Sequence, residues 1–222
     1  MIAATIPNCK AYDPAFACEL AVIIDHGMRE MMVEQKDVFY YVTMMNENYA
    51  QPDLQPGSEE DIIHGCYVFN SYLGKQDVPE STKNAQNVTL MGSGAILTEV
   101  IKAAQLLADL GIGATVFSVT SWSELARGGA ACQQRRLNGE TTQIDAFITQ
   151  QLQRSAGPVI AATDYVRAVP ESIRAFIPEG RTYLTLGTDG FGRSDTRAAL
   201  RDFFSVDAAS IVKAALLELK AG

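Results

Sequence analysis

The sequence predicts an α/β fold with a parallel or mostly parallel sheet covered by helices on both faces. Three observations carry this. Strand-like and helix-like stretches alternate from Cys66 to the end of the chain, the pattern of crossover connections between parallel strands. The strand-like stretches are apolar on both faces, as buried parallel strands are. Finally, Tyr183-Leu184-Thr185-Leu186 runs into a turn with glycine at 187, 190 and 192, and then into a helical stretch over 194–204. Strand, glycine turn and helix form the joint of such folds.

In order, residues 1–12 form a leading segment. Asp13-Pro14 opens a helix, with Asp13 as cap and Pro14 in the first turn. Phe16, Leu20, Ile23, Ile24, Gly27, Met28 and Met31 fall on one helical face. Val38 to Met45 is rich in β-formers and apolar on both faces, and it ends at the polar cluster Asn46-Glu47-Asn48-Tyr49. From Gln51 to Asp61 prolines and acidic residues accumulate without a lysine or arginine. This texture reads as a solvated connector at a domain boundary.

The alternation then begins. Cys66–Tyr72 is a strand, Gly74–Asn87 a polar loop, and Val88–Met91 a strand closed by Gly92-Ser93-Gly94. A helix over Ile96–Leu107 turns Ile96, Leu97, Val100, Ile101, Ala104 and Leu107 inward. Thr115–Val119 is a strand, Trp122–Ala130 a short helix and Ile144–Leu152 another. Pro158–Ala162 is a strand and Pro170–Phe176 a helix. Ser194–Phe204, capped by Ser194, and Asp207–Leu219, capped by Asp207, close the chain.

Composition bounds the function. The 222 residues are 47% hydrophobic, enough for one ordinary domain and part of another, and the net charge is −8. An acidic balance disfavours nucleic acid as a partner. No apolar run approaches a membrane span, and no secretory leader is visible, so a cytoplasmic location is expected. Cys9, Cys18, Cys66 and Cys132 have no metal-type spacing and read as free thiols. His26 and His64 have no matched nucleophile or carboxylate and read as solvated or capping groups, so no metal site is expected.

Two places could carry chemistry. Glu47, beside Asn46, Asn48 and Tyr49, sits at a strand's carboxyl end, where α/β folds place active sites; a polar strand end capping the next turn is the competing reading. Gly92-Ser93-Gly94 could cradle an anion at a helix start, although it lacks both the third glycine of a dinucleotide fingerprint and a following Gly-Lys. A structural turn is the plainer reading. Asp164-Tyr165 also follows a strand, and Trp122 reads as a packing residue.

The order of residues is more specific than any one of these patterns. Asn8-Cys9-Lys10-Ala11-Tyr12-Asp13-Pro14-Ala15-Phe16-Ala17, Met45-Asn46-Glu47-Asn48-Tyr49 and Leu90-Met91-Gly92-Ser93-Gly94 are joined by Ser118-Val119-Thr120-Ser121-Trp122-Ser123-Glu124-Leu125-Ala126-Arg127 and Ala162-Thr163-Asp164-Tyr165. The series ends with Leu186-Gly187-Thr188-Asp189-Gly190-Phe191-Gly192-Arg193-Ser194-Asp195. In this order the segments resemble the C-terminal part of the homodimeric bacterial-type pyruvate dehydrogenase component, in the transketolase superfamily. The resemblance implies that 1–52 is the end of a pyrimidine-binding-type domain, its last helix and strand. It makes 53–65 a connector and 66–222 a three-layer α/β/α transketolase-type C-terminal domain.

It further implies a parent enzyme that uses thiamine diphosphate and magnesium to decarboxylate pyruvate, acetylates a lipoyl group, and works as a homodimer with a lipoyl acyltransferase component. Glu47, Asn48 and Tyr49 would lie near that parent's active site. Gly187, Asp189, Phe191, Gly192 and Ser194 would shape a joint supporting the dimer, with Asp189 and Ser194 fixing it by local hydrogen bonds. The family's Gly-Asp-Gly magnesium motif does not occur in this sequence, and the family's cofactor-activating glutamate belongs to a segment before these residues. The implied reading is a catalytically inert, structural C-terminal piece with no cofactor of its own. A free-standing α/β module for a small anion is the alternative. Ala50 stands where the family often has histidine, and Gln133-Gln134-Arg135-Arg136-Leu137-Asn138-Gly139-Glu140 departs from the family's run there, which leaves the oxo acid open.

Overall fold

A computed structural model describes residues 2–74, 86–140 and 145–221. Its centre is a five-stranded sheet in the order β3 (Cys66–Tyr72), β5 (Gly113–Val119), β4 (Asn87–Gly92), β6 (Val159–Ala162), β7 (Tyr183–Leu186). β3 runs antiparallel to β5, and the other neighbours are parallel. The central strands β4 and β6 are buried along nearly their whole length, which is why their sequences are apolar on both faces. α3 (Ile96–Asp109) and α8 (Ala208–Ala221) cover one face, and α4 (Trp122–Leu137) with α5 (Phe147–Leu152) covers the other. The expected mostly parallel three-layer sheet is therefore present.

Most elements fall where periodicity puts them, and the differences have physical causes. α4 runs to Leu137, beyond the expected end at Ala130, because Gly128 and Gly129 do not break it. A side chain at Gly129 would strike the Phe176 ring, so this glycine admits a neighbour at close range. The stretch expected as one helix over 170–176 is split into α6 (Ala168–Glu171) and a 3-10 turn, Arg174–Phe176. The expected polar loop over 74–87 and the expected helix start at Ile144 lie largely outside the described residues.

The last joint also differs. α7 spans Arg197–Phe203, and its cap is Thr196, whose hydroxyl accepts the Ala199 N–H. Ser194 is exposed and sits before the helix begins. Both residues suit a cap by type; the actual helix start decides between them. Asp207 does cap α8, accepting the Ser210 N–H at 3.1 Å.

The first 52 residues add a smaller unit. β1 (Cys9–Tyr12) pairs in parallel with β2 (Phe39–Val42), and α1 (Ala17–Met28) lies between them in sequence. α1 starts later than Asp13-Pro14 suggests, because the Glu19 carboxylate reaches back to the N–H groups of Ala15 and Phe16 at 2.6 and 3.0 Å. The inward face of this stretch is Phe16, Glu19, Ile23, Gly27 and Glu30, whereas Ile24 and Met28 are exposed. A parallel strand expected to be buried on both faces is instead half open: Phe39 and Tyr41 are exposed. The acidic stretch after it is not wholly solvated, since α2 (Glu59–His64) forms there and buries Ile62 completely.

Glu19 joins the two units. Its other oxygen accepts the hydroxyls of Tyr67 at 2.8 Å and Ser118 at 2.5 Å, on β3 and β5. Tyr12, Ile23, Ile62 and Tyr67 pack together beside it. Removing this carboxylate strands two N–H groups and two hydroxyls in the interior. Glu19→Ala is expected to cost about 3–5 kcal/mol in urea unfolding. In the same assay Thr196→Ala should cost about 1 kcal/mol and Ser194→Ala under about 0.5 kcal/mol.

Candidate functional site

The carboxyl ends of β2, β4 and β6 converge with the start of α7. At the end of β4, the Gly94 N–H donates to the Asp13 carbonyl at 3.0 Å, and the Asp13 N–H donates to Thr120 O at 2.7 Å. Gly94 has φ +51°, and a Cβ there would lie 2.8 Å from the Asp13 carboxylate. Glycine is thus required by conformation and by space. The Gly92-Ser93-Gly94 turn clasps an internal aspartate, which occupies the place where a bound anion would approach.

The Asp13 carboxyl group is strongly perturbed. Burial pushes it up to about 6, against the pull of the Thr43 and Ser93 hydroxyls and with a further push from Asp164 and Glu19. Thr43 donates to it at 2.7 Å. Ser93 meets Thr163 at 3.1 Å, and Thr163 accepts the Tyr165 N–H. Asp164 is also raised, chiefly by burial, with Arg201 opposing and Glu47 adding to the rise.

Glu47 lies beside this cluster, and its chemistry is set by α7. Arg201 reaches both carboxylate oxygens, at 3.2 and 2.5 Å, and Arg197 approaches at 3.8 Å. Arg201 is itself buried and also binds Glu99 at 3.2 Å, while Glu99 accepts the Ala208 N–H. Asn46 accepts from Arg197 through its side chain at 2.6 Å. Glu47 is therefore oriented by two guanidinium groups, an arrangement suited to positioning. Its neighbours diverge from it. Asn48 is exposed. Tyr49 turns away and donates to Ala15 O at 2.5 Å, its ring edge-on to Phe16.

The glycine turn after β7 is fastened to the loop after β6. Thr188 donates through its N–H to Tyr165 O and through its hydroxyl to Asp164 O. A Cβ at Gly187 would stand 2.5 Å from Tyr165 O, so only glycine permits this approach. Asp189 accepts the Arg167 N–H at 2.9 Å and pairs with its guanidinium. The expectation that Asp189 and Ser194 act by local hydrogen bonds is corrected here: Asp189 bonds across 22 residues, and Ser194 does not cap the helix. Phe191 is 96% exposed, and among the described residues nothing lies within reach of a side chain at Gly190 or Gly192.

Trp122 is a packing residue, 4% exposed in the core under α4. His26 lies 3.7 Å from Glu30, and exposed His64 packs on Phe147. Sequence reasoning missed Asp13, Arg201 and Glu99 as site members. The pairing of an acid with arginine across more than a hundred positions leaves no local signal.

Residues 74–207 match the family model for the transketolase-like TK C-terminal domain. The chain belongs to the transketolase-like C-terminal domain family. Residues 1–52 match the model for the pyruvate dehydrogenase E1 component middle domain. Over 218 residues, 97% of the chain, it is 49% identical to the pyruvate dehydrogenase E1 component of Pseudomonas aeruginosa and 45% identical to that of Escherichia coli K12. It spans about a quarter of these relatives, 24% and 23% of their lengths. A solved structure titled as a split gene transketolase, inactive beta4 tetramer, superposes with TM-score 0.61 at 17% identity, over 99% of this chain and 60% of that one. Transketolase from Leishmania mexicana gives 0.55 at 16% identity, over 99% and 26%. These two likenesses establish the fold.

The raised Asp13 has a stability consequence. In the unfolded chain aspartate titrates near 4, so between about pH 4 and 6 the folded protein binds the extra proton. Stability is then highest below pH 4, falls as pH rises through 6, and levels off above it, by up to about 3 kcal/mol. Asp164, Glu19 and Glu124 are pushed the same way, so the wild-type curve combines several groups. The difference between wild type and Asp13→Asn in urea unfolding from pH 4 to 7 should isolate the Asp13 contribution.

Proposed function

We propose that this chain is part of a pyruvate dehydrogenase E1 enzyme, an acetyl-transferring oxidoreductase of the cytoplasm. The whole enzyme decarboxylates pyruvate with thiamine diphosphate and magnesium. It passes the acetyl unit to the lipoyl group of an acyltransferase partner and works as a homodimer. In this reading 1–52 ends the middle domain, 53–65 connects, and 66–222 is the C-terminal domain. The observation that supports it best is continuous identity of 43–49% with E1 components across both matched domains.

Within that enzyme the chain's role is positional. Arg201 and Arg197 on α7 hold Glu47 and Asn46 at the end of β2, so the C-terminal domain sets the orientation of the middle domain's strand end. Glu47, with Asn48 and Tyr49 following it, borders the reaction site. Gly187, Asp189, Phe191, Gly192 and Ser194 shape the joint that supports the dimer. Among the described residues no three histidine, cysteine, aspartate or glutamate side chains gather as a metal site. In this reading the magnesium–diphosphate site belongs to another part of the whole enzyme. The chain by itself is inert.

Calorimetry of the 222-residue chain with thiamine diphosphate and magnesium should show no binding heat; tight binding would overturn the inert reading. Mixing the chain with a separately produced polypeptide covering the preceding part of the Pseudomonas aeruginosa relative should restore pyruvate decarboxylation. Arg201→Ala should lower that restored rate at least about tenfold by releasing Glu47. Absence of any restored activity from a folded mixture would count against the assignment.

A further inference from the structure

The end of β4 belongs to a row of hydroxyl donors that converge on one carboxylate. Ser93 and Thr163 are both buried and meet at 3.1 Å. A hydroxyl has a single proton to give. Ser93 gives its proton to Asp13, so Thr163 is the donor in the Ser93–Thr163 pair. Thr163 in turn accepts the Tyr165 N–H at 3.3 Å. The direction is thereby fixed along the row: Tyr165 N–H to Thr163, Thr163 to Ser93, Ser93 to Asp13. Each bond in such a row polarises the next. From the other side Thr43 donates to Asp13 at 2.7 Å, the shorter of its contacts, with Tyr12 O at 3.2 Å.

The rest of the surroundings is shaped to the same group. Gly94 leaves open the space that a Cβ would take, and the Asp13 carboxylate stands there. The Asp13 main chain is held at both polar groups, by Thr120 O and the Gly94 N–H. The donors to the carboxylate are neutral hydroxyls, and the charges that act on it are those of Asp164 and Glu19, both acidic. Such a site accepts one negative charge and penalises two. It therefore selects a small monocarboxylate over sulfate or phosphate.

We infer that the β4–α3 turn and the hydroxyls of Thr43, Ser93 and Thr163 form a binding site for a small monocarboxylate, and that Asp13 is its ligand in cis. The C-terminal domain takes hold of the end of β1 as it would a free acetate, and this docking sets the register between the two units. The site lies at their internal contact. It does not depend on what covers the outer faces of residues 1–52, nor on the E1 reading.

Removing the Asp13 side chain should leave a site that a free carboxylate fills. Asp13→Ala keeps Cβ, so formate replaces the missing group and acetate is one carbon too long. Asp13→Gly loses Cβ as well and admits acetate. Urea unfolding near pH 7, where both free acids are ionised, is compared in about 0.5 M sodium formate and in sodium chloride of equal ionic strength. With a dissociation constant of about 0.1 M, formate should raise the folded-to-unfolded ratio of Asp13→Ala about sixfold. This response is counted beyond the general salt effect measured on wild type, whose site is already filled. Asp13→Gly should respond about as strongly to acetate, sulfate should rescue neither variant, and adding Ser93→Ala should cut the formate response at least about threefold. If Asp13→Ala has no folded state in chloride, formate should recover it on refolding. A formate response no greater than that of wild type would overturn the inference. So would a response undiminished by Ser93→Ala, or an Asp13→Ala chain that stays unfolded in formate.

Discussion

Glu19 is a carboxylate with four donors on two oxygens and no exposure to water. Half of its work is local, ending the chain's extended run and starting α1. The other half is distant, holding that helix against β3 and β5. Burial raises its proton affinity, and the hydrogen bonds from Ser118, Phe16, Tyr67 and Ala15 oppose that rise. A charge in this place is tolerated only because every lone pair is used. The apolar cluster of Tyr12, Ile23, Ile62 and Tyr67 and the orientation of β1 follow from this attachment.

The same logic recurs at the other end of the N-terminal unit. Arg201 is buried between Glu47 and Glu99, and Glu99 is in turn bonded to Lys102 and to the start of α8. Buried ionic groups of this sort contribute more to orientation than to net stability. Their arrangement fixes how the end of β2 sits over β4 and β6. The functional reading depends on this geometry, because a strand-end carboxylate has a defined place only if something distant holds it.

The layers of the fold were legible because they rest on short-range periodicity. The strands over 66–72 and 183–186 and the inner face of α3 follow directly from apolar spacing. What was not legible depended on distant partners. Asp13 has the composition of a helix cap, yet the Glu19 side chain moves the helix start beyond it, and Gly94 takes up Asp13 instead. Ser194 and Thr196 are both plausible caps, and no local rule separates them. Val38–Met45 reads as a fully buried strand because its composition is that of one. In the fold Phe39 and Tyr41 are nonetheless exposed, because no helix or strand among the described residues covers them. Glu47 was recognised by its strand-end position, whereas Arg201 lies on a helix whose pattern says nothing about an acid 154 positions away.

That separation has a consequence for the order of assembly. A ribosome adds about 5–20 residues per second, so Glu47 leaves it roughly 8 to 30 s before Arg201 is made. Until α7 is made, Glu47 lacks both of the guanidinium groups that hold it in the fold. The N-terminal unit described here is completed by a helix made 154 positions after Glu47, and its final geometry is set only once that helix exists.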